Sequence, residues 1–158
     1  MQNLARTADP SDVMIAAFKA AEYVVDTKSG VIMIRVGETT PALDNLLDDR
    51  PWAVITACNP DGRLRDAERN AADQTSLEKS LRELRPAVVL TVCNRDPAGL
   101  WPDEPAWLFT PRDIAQADRL ARQFGQRAIL TGDPGAPAQL RLYRGRNDDS
   151  GTAPAVVS

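Results

Sequence analysis

Hydrophobic residues along the chain occur both in short continuous runs and at helical spacing. The continuous runs Trp52–Cys58 and Pro86–Cys93 are typical of strands buried on both faces. Between them, roughly from Leu64 to Leu84, apolar residues return every three or four positions, which predicts a long amphipathic helix. The other segments predict, in chain order, a helix from Asp9-Pro10, a hairpin over 23–36, a short helix after Thr40-Pro41, a strand over 106–109, a helix after Thr110, and a final hairpin of 127–130 with 140–143.

This order of elements predicts the fold class. Strands that alternate with helices favour some parallel pairing, whereas hairpins favour antiparallel pairing. We therefore expect an α+β (mixed α/β) single-domain sandwich with a mixed, partly parallel sheet, helices packed on it and antiparallel hairpins at its edges. The domain is predicted to span residues 10–144, with a flexible N-terminus over 1–9 and a disordered C-terminal tail over 145–158.

Composition and charge limit the compartment and the partners that the sequence predicts. The chain has 158 residues, of which 43% are hydrophobic, enough for one core without disulfides or metals. No apolar run approaches the ~18 residues of a membrane span, and no signal-like segment opens the chain, so we expect a cytoplasmic protein with no membrane partner. Cys58 and Cys93 are expected to be thiols. The formal net charge of −3 argues against binding to duplex nucleic acid.

The absence of histidine excludes several kinds of chemistry. Ser-His and Cys-His hydrolase mechanisms are impossible, and so are metal sites with histidine ligands. Any catalysis must use carboxylates, Lys, Tyr, Cys or a hard metal ion held by carboxylates. The sequence names no cofactor.

Two amides interrupt the apolar face of the predicted long helix. Asn70 and Gln74 share the face that carries Leu77 and Leu81. A buried amide without a hydrogen-bond partner costs about 1–3 kcal/mol. Asn70 is therefore expected either to tie down the preceding loop or to line a polar pocket.

The loop Asn59-Pro60-Asp61-Gly62 joins a buried strand to this helix. It is either a turn whose Asn or Asp caps the helix, or a ligand site at a strand end. Arg63 lies beside the loop, where it could hold a carboxylate or phosphate. No glycine-rich phosphate loop is present, and the other arginines of the helix alternate with acids as on a solvated face.

A second loop, Trp101–Pro105, places an aromatic residue beside two acids. Asp61, Asp103 and Glu104 are the residues that could hold a Mg²⁺-type ion. Adjacent acids in loops are usually solvated, so we assign no metal site.

Two segments share the pattern Thr-x-Cys-Asn-x-Asp, namely Thr56–Asp61 and Thr91–Asp96. Each ends a predicted buried strand. Because the flanking residues differ and buried strands draw on few residue types, we interpret the likeness as chance.

Several short motifs resemble a known family. The run Ala53–Pro60, Asn70, Trp101 with Glu104-Pro105, and the run Phe124–Ile129 resemble the bacterial domain-of-unknown-function family numbered 3293, from Tyr23 to Tyr143. The family has no established activity. The resemblance implies only which polar residues belong together, namely Thr56, Asn59, Asn70, Glu104 and Gln126.

The chain departs from the family pattern at three places. Cys58 replaces an aromatic residue, and Asp61-Gly62 follows Asn59-Pro60. Ala106 stands where a serine is expected, which excludes a serine nucleophile there.

Three functional hypotheses follow, in order of preference. The first is a non-catalytic module that binds a small polar or anionic ligand, or a protein partner, through a polar pocket. The second is a small enzyme without histidine, acting on an anionic substrate, in which Glu104 is a general base or metal ligand. The third is that the polar cluster is architectural. The predicted ligand-binding residues are Thr56, Asn59, Arg63, Asn70, Trp101, Glu104 and Gln126.

Overall fold

The computed structural model describes residues 10–144 and 153–158. Within these ranges, helices and strands alternate much as the hydrophobic pattern predicts. The elements are α1 (Pro10–Ala20), β1 (Glu22–Thr27), β2 (Gly30–Ile34), α2 (Pro41–Leu46), β3 (Trp52–Ile55), the 3₁₀ turn η1 (Pro60–Gly62), α3 (Ala67–Glu83), β4 (Val89–Arg95), β5 (Glu104–Phe109), α4 (Ile114–Gln123), β6 (Ala128–Gly132), β7 (Gln139–Leu142) and β8 (Ala155–Val157).

The strands form one sheet in the order β2-β1-β4-β5-β3-β6-β7-β8. The mixed α and β composition is confirmed, but the predicted partly parallel pairing is wrong, because all seven pairs between these strands are antiparallel. The helix α3 does return the chain so that β4 runs in the same direction as β3. However, β5 lies between them and pairs antiparallel with both.

The sheet is curled, and a contact outside its strands joins the two sides of the curl. Val36 forms a single parallel bridge with Ala138 just before β7. The Gly37 N–H donates to the Ala138 carbonyl at 2.8 Å, and the Ala138 N–H donates to the Glu38 carbonyl at 3.0 Å. The segment after β2 therefore meets the β6–β7 connection.

The curled sheet has a core on each face. Val54 of β3 packs on one side with Tyr23, Ile34 and Leu108, and α2 contributes Leu43 and Leu47 there. On the other face, residues from α3 and α4 form the second core with alternate residues of β3; this core includes Ala53, Ile55, Leu77, Leu81, Ala117 and Phe124. The burial of β3 on both faces, predicted from its continuous apolar run, is confirmed.

Most predicted elements are present with shifted ends. The helix predicted from Leu64 begins at Ala67, because the Asp66 side chain caps it by accepting the Arg69 N–H. Asp113 caps α4 in the same way, through the Gln116 N–H. None of the helices in the described ranges combines the length and apolar character that crossing a membrane requires.

An ion pair between the buried Asp118 and the half-buried Arg141 fastens α4 to β7. Both carboxylate oxygens of Asp118 accept from Arg141, at 2.9 and 2.8 Å, and the Tyr143 hydroxyl donates to the same carboxylate. Asp118 raises the pKa of the Arg141 guanidinium, and burial raises the pKa of Tyr143. The charge pair is thus held by three hydrogen bonds.

The segment predicted as a disordered tail contains β8, whose residues Ala155–Val157 pair with β7. The rest of that prediction, residues 145–152, lies outside the described residues. So does the N-terminal segment 1–9, with the predicted cap Asp9.

Candidate functional site

The loop that leaves β3 is held by the side chain of Thr56, its first residue, and by a side chain of α3. The Thr56 hydroxyl donates to the Pro105 carbonyl at 2.8 Å and accepts the Cys58 N–H at 3.1 Å. The Gln74 carbonyl oxygen accepts the Ala57 N–H at 3.0 Å. Thr56 and Gln74 therefore anchor this loop between β5 and α3.

Asn59 is a buried residue with left-handed backbone angles, φ 48° and ψ 56°. Its side-chain oxygen accepts the Arg65 N–H and the Asn70 amide, both at 2.9 Å. In return, the Asn59 N–H donates to the Asn70 side-chain oxygen at 2.9 Å. Asn70 thus ties down the preceding loop, one of the two roles predicted for it.

Glu104, the first residue of β5, lies against this loop. Its Oε1 accepts the Asn59 amide at 2.6 Å and the Trp101 indole N–H at 2.9 Å. Burial raises the pKa of Glu104, although the two hydrogen bonds act to lower it. Both of these hydrogen bonds fall on one carboxylate oxygen, and no hydrogen bond from the described residues reaches Oε2.

The turn between α4 and β6 forms the other side of the loop. The Gln126 amide donates to the carbonyls of Cys58 and Phe124, at 3.1 and 3.4 Å. The Asp61 N–H donates to the Gly125 carbonyl at 2.8 Å. These bonds fix η1 to the start of β6.

These segments surround a cleft of about 450 Å³, which we call the α1 cleft because α1 forms its apolar wall. Val13, Met14, Ala17 and Phe18 supply that wall. Polar groups from the ends of β3, β4, β5 and the start of β6 supply the rest; they are Asn59, Asp61, Asn94, Arg95, Asp96, Glu104, Gln126 and Arg127. The Asp96 carboxylate accepts the backbone N–H groups of Ala98, Leu100 and Trp101, so it is occupied in shaping the Trp101 loop.

Three buried polar atoms that belong to residues of the cleft have no hydrogen-bond partner among the described residues. They are Asp61 Oδ1, Asn94 Oδ1 and Arg127 Nε. Two further such atoms, on Gln74 and Trp107, belong to residues that do not line the cleft. Because buried polar groups are nearly always paired, the concentration of unpaired atoms around one cleft is unusual.

The predicted site residues separate into two groups. The first group lines the cleft and consists of Asn59, Trp101, Glu104 and Gln126. The second group, Thr56 and Asn70, does not line the cleft but forms hydrogen bonds to the segments that do. Arg63 and Asp103 are exposed and do not line the cleft. Within residues 10–144 and 153–158, no three Cys, Asp or Glu side chains form a group that could hold a metal ion, so Asp61, Asp103 and Glu104 do not form one.

Sequence reasoning missed Asn94, Arg127 and the α1 wall as parts of this site. The repeated Thr-x-Cys-Asn-x-Asp pattern contained part of the signal. Asn59 and Asp61 come from its first copy and Asn94 and Asp96 from its second, and all four line the same cleft. The α1 wall gives no such signal, because its residues read as an ordinary amphipathic helix.

Comparison with known proteins gives one match. A family model described as a protein of unknown function, DUF3293, matches residues 55–129, which confirms the resemblance seen in the motifs. No curated protein and no solved structure matches the chain. The matched segment contains most of the polar side of the cleft, while α1 and Tyr23 lie outside it.

Proposed function

We propose that this chain, whose residues 55–129 match the DUF3293 family model, binds a small molecule in the α1 cleft. The proposal makes it a binding module rather than an architectural domain. The observation that carries it is the lining of the cleft, in which charged residues, among them Asp61, Glu104 and Arg127, accompany the apolar wall of α1.

The shape and lining of the cleft support this function. Its volume of about 450 Å³ is within the range of ligand pockets. One wall is apolar and the other carries a few convergent polar groups, the combination by which pockets bind and orient small molecules.

The loop is also held in a strained form. Asn59 and Asp61 both have positive φ, 48° and 59°. Left-handed backbone costs roughly 1–2 kcal/mol for an L residue, although Asn and Asp tolerate it better than most. Such strain is frequent where a loop is preorganised for a ligand, and the hydrogen bonds of Asn70 and Gly125 to this loop offset it here.

A second candidate function is catalysis by Glu104 on a bound substrate. The raised pKa of this carboxyl and its place in the cleft are typical of general acids and bases. Asn59 and Trp101 hold Oε1, so proton transfer would use Oε2. In this case Glu104→Gln would keep ligand binding and abolish turnover of the bound compound.

Binding can be tested by a ¹H–¹⁵N NMR screen of small polar fragments against the full chain. The Trp101 indole N–H is a direct reporter, and Trp52, which does not line the cleft, is an internal control. Fragments that bind in the cleft should shift the Trp101 indole and the backbone signals of Asp61 and Asn94, and leave the Trp52 indole unchanged.

A matched pair of variants locates the binding. Ala17→Phe places a ring in the cleft, whereas Ala16→Phe adds the same ring to an exposed part of α1 that does not line it. Ala17→Phe should remove the fragment shifts and Ala16→Phe should retain them. Equal responses of the two variants, or no fragment that shifts the Trp101 indole, would contradict the proposed function.

A further inference from the structure

We infer that the ligand of the α1 cleft is a free α-amino acid with an apolar side chain. This inference rests on the proposed function and specifies its ligand. It follows from matching the acidic, basic and apolar residues that line the cleft to the ligand groups that would bind them.

The acceptors of the cleft fit an ammonium group. Asp61 and Asn94 both line the cleft and bring a carboxylate and a side-chain amide to it. Glu104 adds a second carboxylate, with both of its hydrogen bonds on Oε1. An ammonium has three N–H donors and a positive charge, so it can donate to one amide oxygen and to two carboxylates at once.

The donor of the cleft fits a carboxylate. Arg127 lines the cleft, and no ion pair to its guanidinium is found within the described residues. A guanidinium and a carboxylate form parallel hydrogen bonds with matching geometry. Arg127 is therefore the group that would select an anion in a cleft otherwise rich in acids.

The two polar groups come from segments that are fastened to each other. Asp61 follows β3 and Arg127 directly precedes β6, yet the Asp61 N–H donates to the carbonyl of Gly125, two residues before Arg127. This hydrogen bond joins the segment that carries Asp61 to the segment that carries Arg127, as binding two groups of one small molecule requires.

The apolar wall fits the side chain of an amino acid. Met14, Ala17 and Phe18 line the cleft from α1. A phosphate ligand is disfavoured, because Asp61, Asp96 and Glu104 surround it with negative charge and only Arg95 and Arg127 oppose them.

The test is an NMR titration of the full chain with L-leucine and two truncated analogues. 3-Methylbutylamine lacks the carboxylate of leucine, and 4-methylpentanoate lacks its ammonium. We expect leucine to shift the NMR signals of the Trp101 indole and of the Asp61 and Asn94 amides. Each analogue should bind at least about tenfold more weakly than leucine, because each loses a charge-assisted contact.

Variants identify the residue that binds the carboxylate of the ligand and the residue that binds its ammonium. Arg127→Gln should weaken leucine about tenfold and leave 3-methylbutylamine unchanged, so that the two compounds bind alike. Asp61→Asn should reduce the preference for leucine over 4-methylpentanoate. Arg63→Gln is the matched control, since Arg63 is exposed and does not line the cleft, and it should change nothing. Thermal unfolding of each variant establishes that it is folded.

The outcomes separate this inference from the proposed function. If polar fragments shift the Trp101 indole but leucine, methionine and phenylalanine do not, the inference is wrong and the proposed function stands. If Arg127→Gln weakens leucine and 3-methylbutylamine equally, the assignment of the carboxylate to Arg127 is overturned. If neither fragments nor amino acids shift the cleft signals, both fail.

Discussion

The indole of Trp52 lies directly over Gly132, its cross-strand partner in the pairing of β3 with β6. A Cβ placed on Gly132 would be 2.3 Å from Cζ2 of the Trp52 ring, and the adjacent ring atom Cε2 would be 2.4 Å away. Real Cβ atoms do not approach other atoms so closely. The absence of a side chain on Gly132 is therefore what allows Trp52 to remain buried at the end of β3.

Replacement of Gly132 by Ala should destabilise the fold by about 1–3 kcal/mol, as overpacking of a core does. The free energy of unfolding in urea measures this effect. Trp52→Phe replaces the bicyclic indole by a smaller single ring, so the same Gly132→Ala change should cost less in that background. Additive effects of the two substitutions would contradict the steric explanation.

The contribution of Asn59 to the free energy of unfolding can be divided into a side-chain part and a backbone part. Asn59→Gly removes the bonds to Arg65, Asn70 and Glu104 and should cost about 2–4 kcal/mol, at about 1 kcal/mol for each hydrogen bond. Asn59→Ala should cost about 1 kcal/mol more, because alanine resists the left-handed backbone. Urea unfolding of both variants checks the order, and an alanine variant as stable as the glycine variant would refute it.

Glu104→Gln should change the pH dependence of stability in a defined direction. Burial raises the folded-state pKa of Glu104, against the hydrogen bonds from Asn59 and Trp101. The folded protein therefore holds this proton more tightly than the unfolded chain. The contribution of Glu104 to stability is complete below its unfolded pKa of about 4.3 and is lost as the pH rises through the folded pKa.

Glutamine keeps an acceptor for both donors and does not titrate. The free energy of unfolding of Glu104→Gln, measured in urea at several pH values, should accordingly improve relative to the wild type as the pH rises. A difference that stays constant with pH, or that moves in favour of the wild type, would mean that burial does not govern this carboxyl.

The contacts of Asp118 should respond unequally to loss of its carboxylate and to loss of the Tyr143 hydroxyl. Asp118→Ala leaves the partly buried Arg141 without its carboxylate and should cost about 2–3 kcal/mol, whereas Tyr143→Phe removes one hydrogen bond and should cost about 1–2 kcal/mol. The exposed pair Arg82–Glu78 on α3 is the control, where Arg82→Ala should change stability by no more than about 0.5 kcal/mol. Thermal and urea unfolding compare the three, and similar losses at all of them would contradict this ranking.

Part of the site could be predicted because local periodicity reveals misplaced polar residues. Asn70 and Gln74 stood out on an apolar helix face, and both do bond the loop beside that face. Glu104 and Gln126 came instead from the family resemblance. Arg127 and Asn94 escaped prediction, since their role depends on which strand ends the sheet brings together, and Arg63 was favoured only for its nearness in sequence.

The direction of strand pairing was the main error, and it has a physical cause. The continuous apolar run of β3 indicates burial on both faces, which parallel sheets achieve with helices on each side. In this chain the curl of an antiparallel sheet covers one face of β3 and the helices α3 and α4 cover the other. The two arrangements produce the same hydrophobic pattern, so the sequence of β3 alone does not distinguish them.

The strand order also determines how much chain is needed for an autonomous folding unit. β4 pairs with β1, and β6 pairs with β7, yet both of these partners lie outside the segment 55–129. A fragment cut to that segment would expose two long unpaired strand edges and lose most of β3, which invites aggregation through edge-to-edge pairing. A fragment that keeps these two edges paired must therefore begin before Glu22 and continue past Leu142.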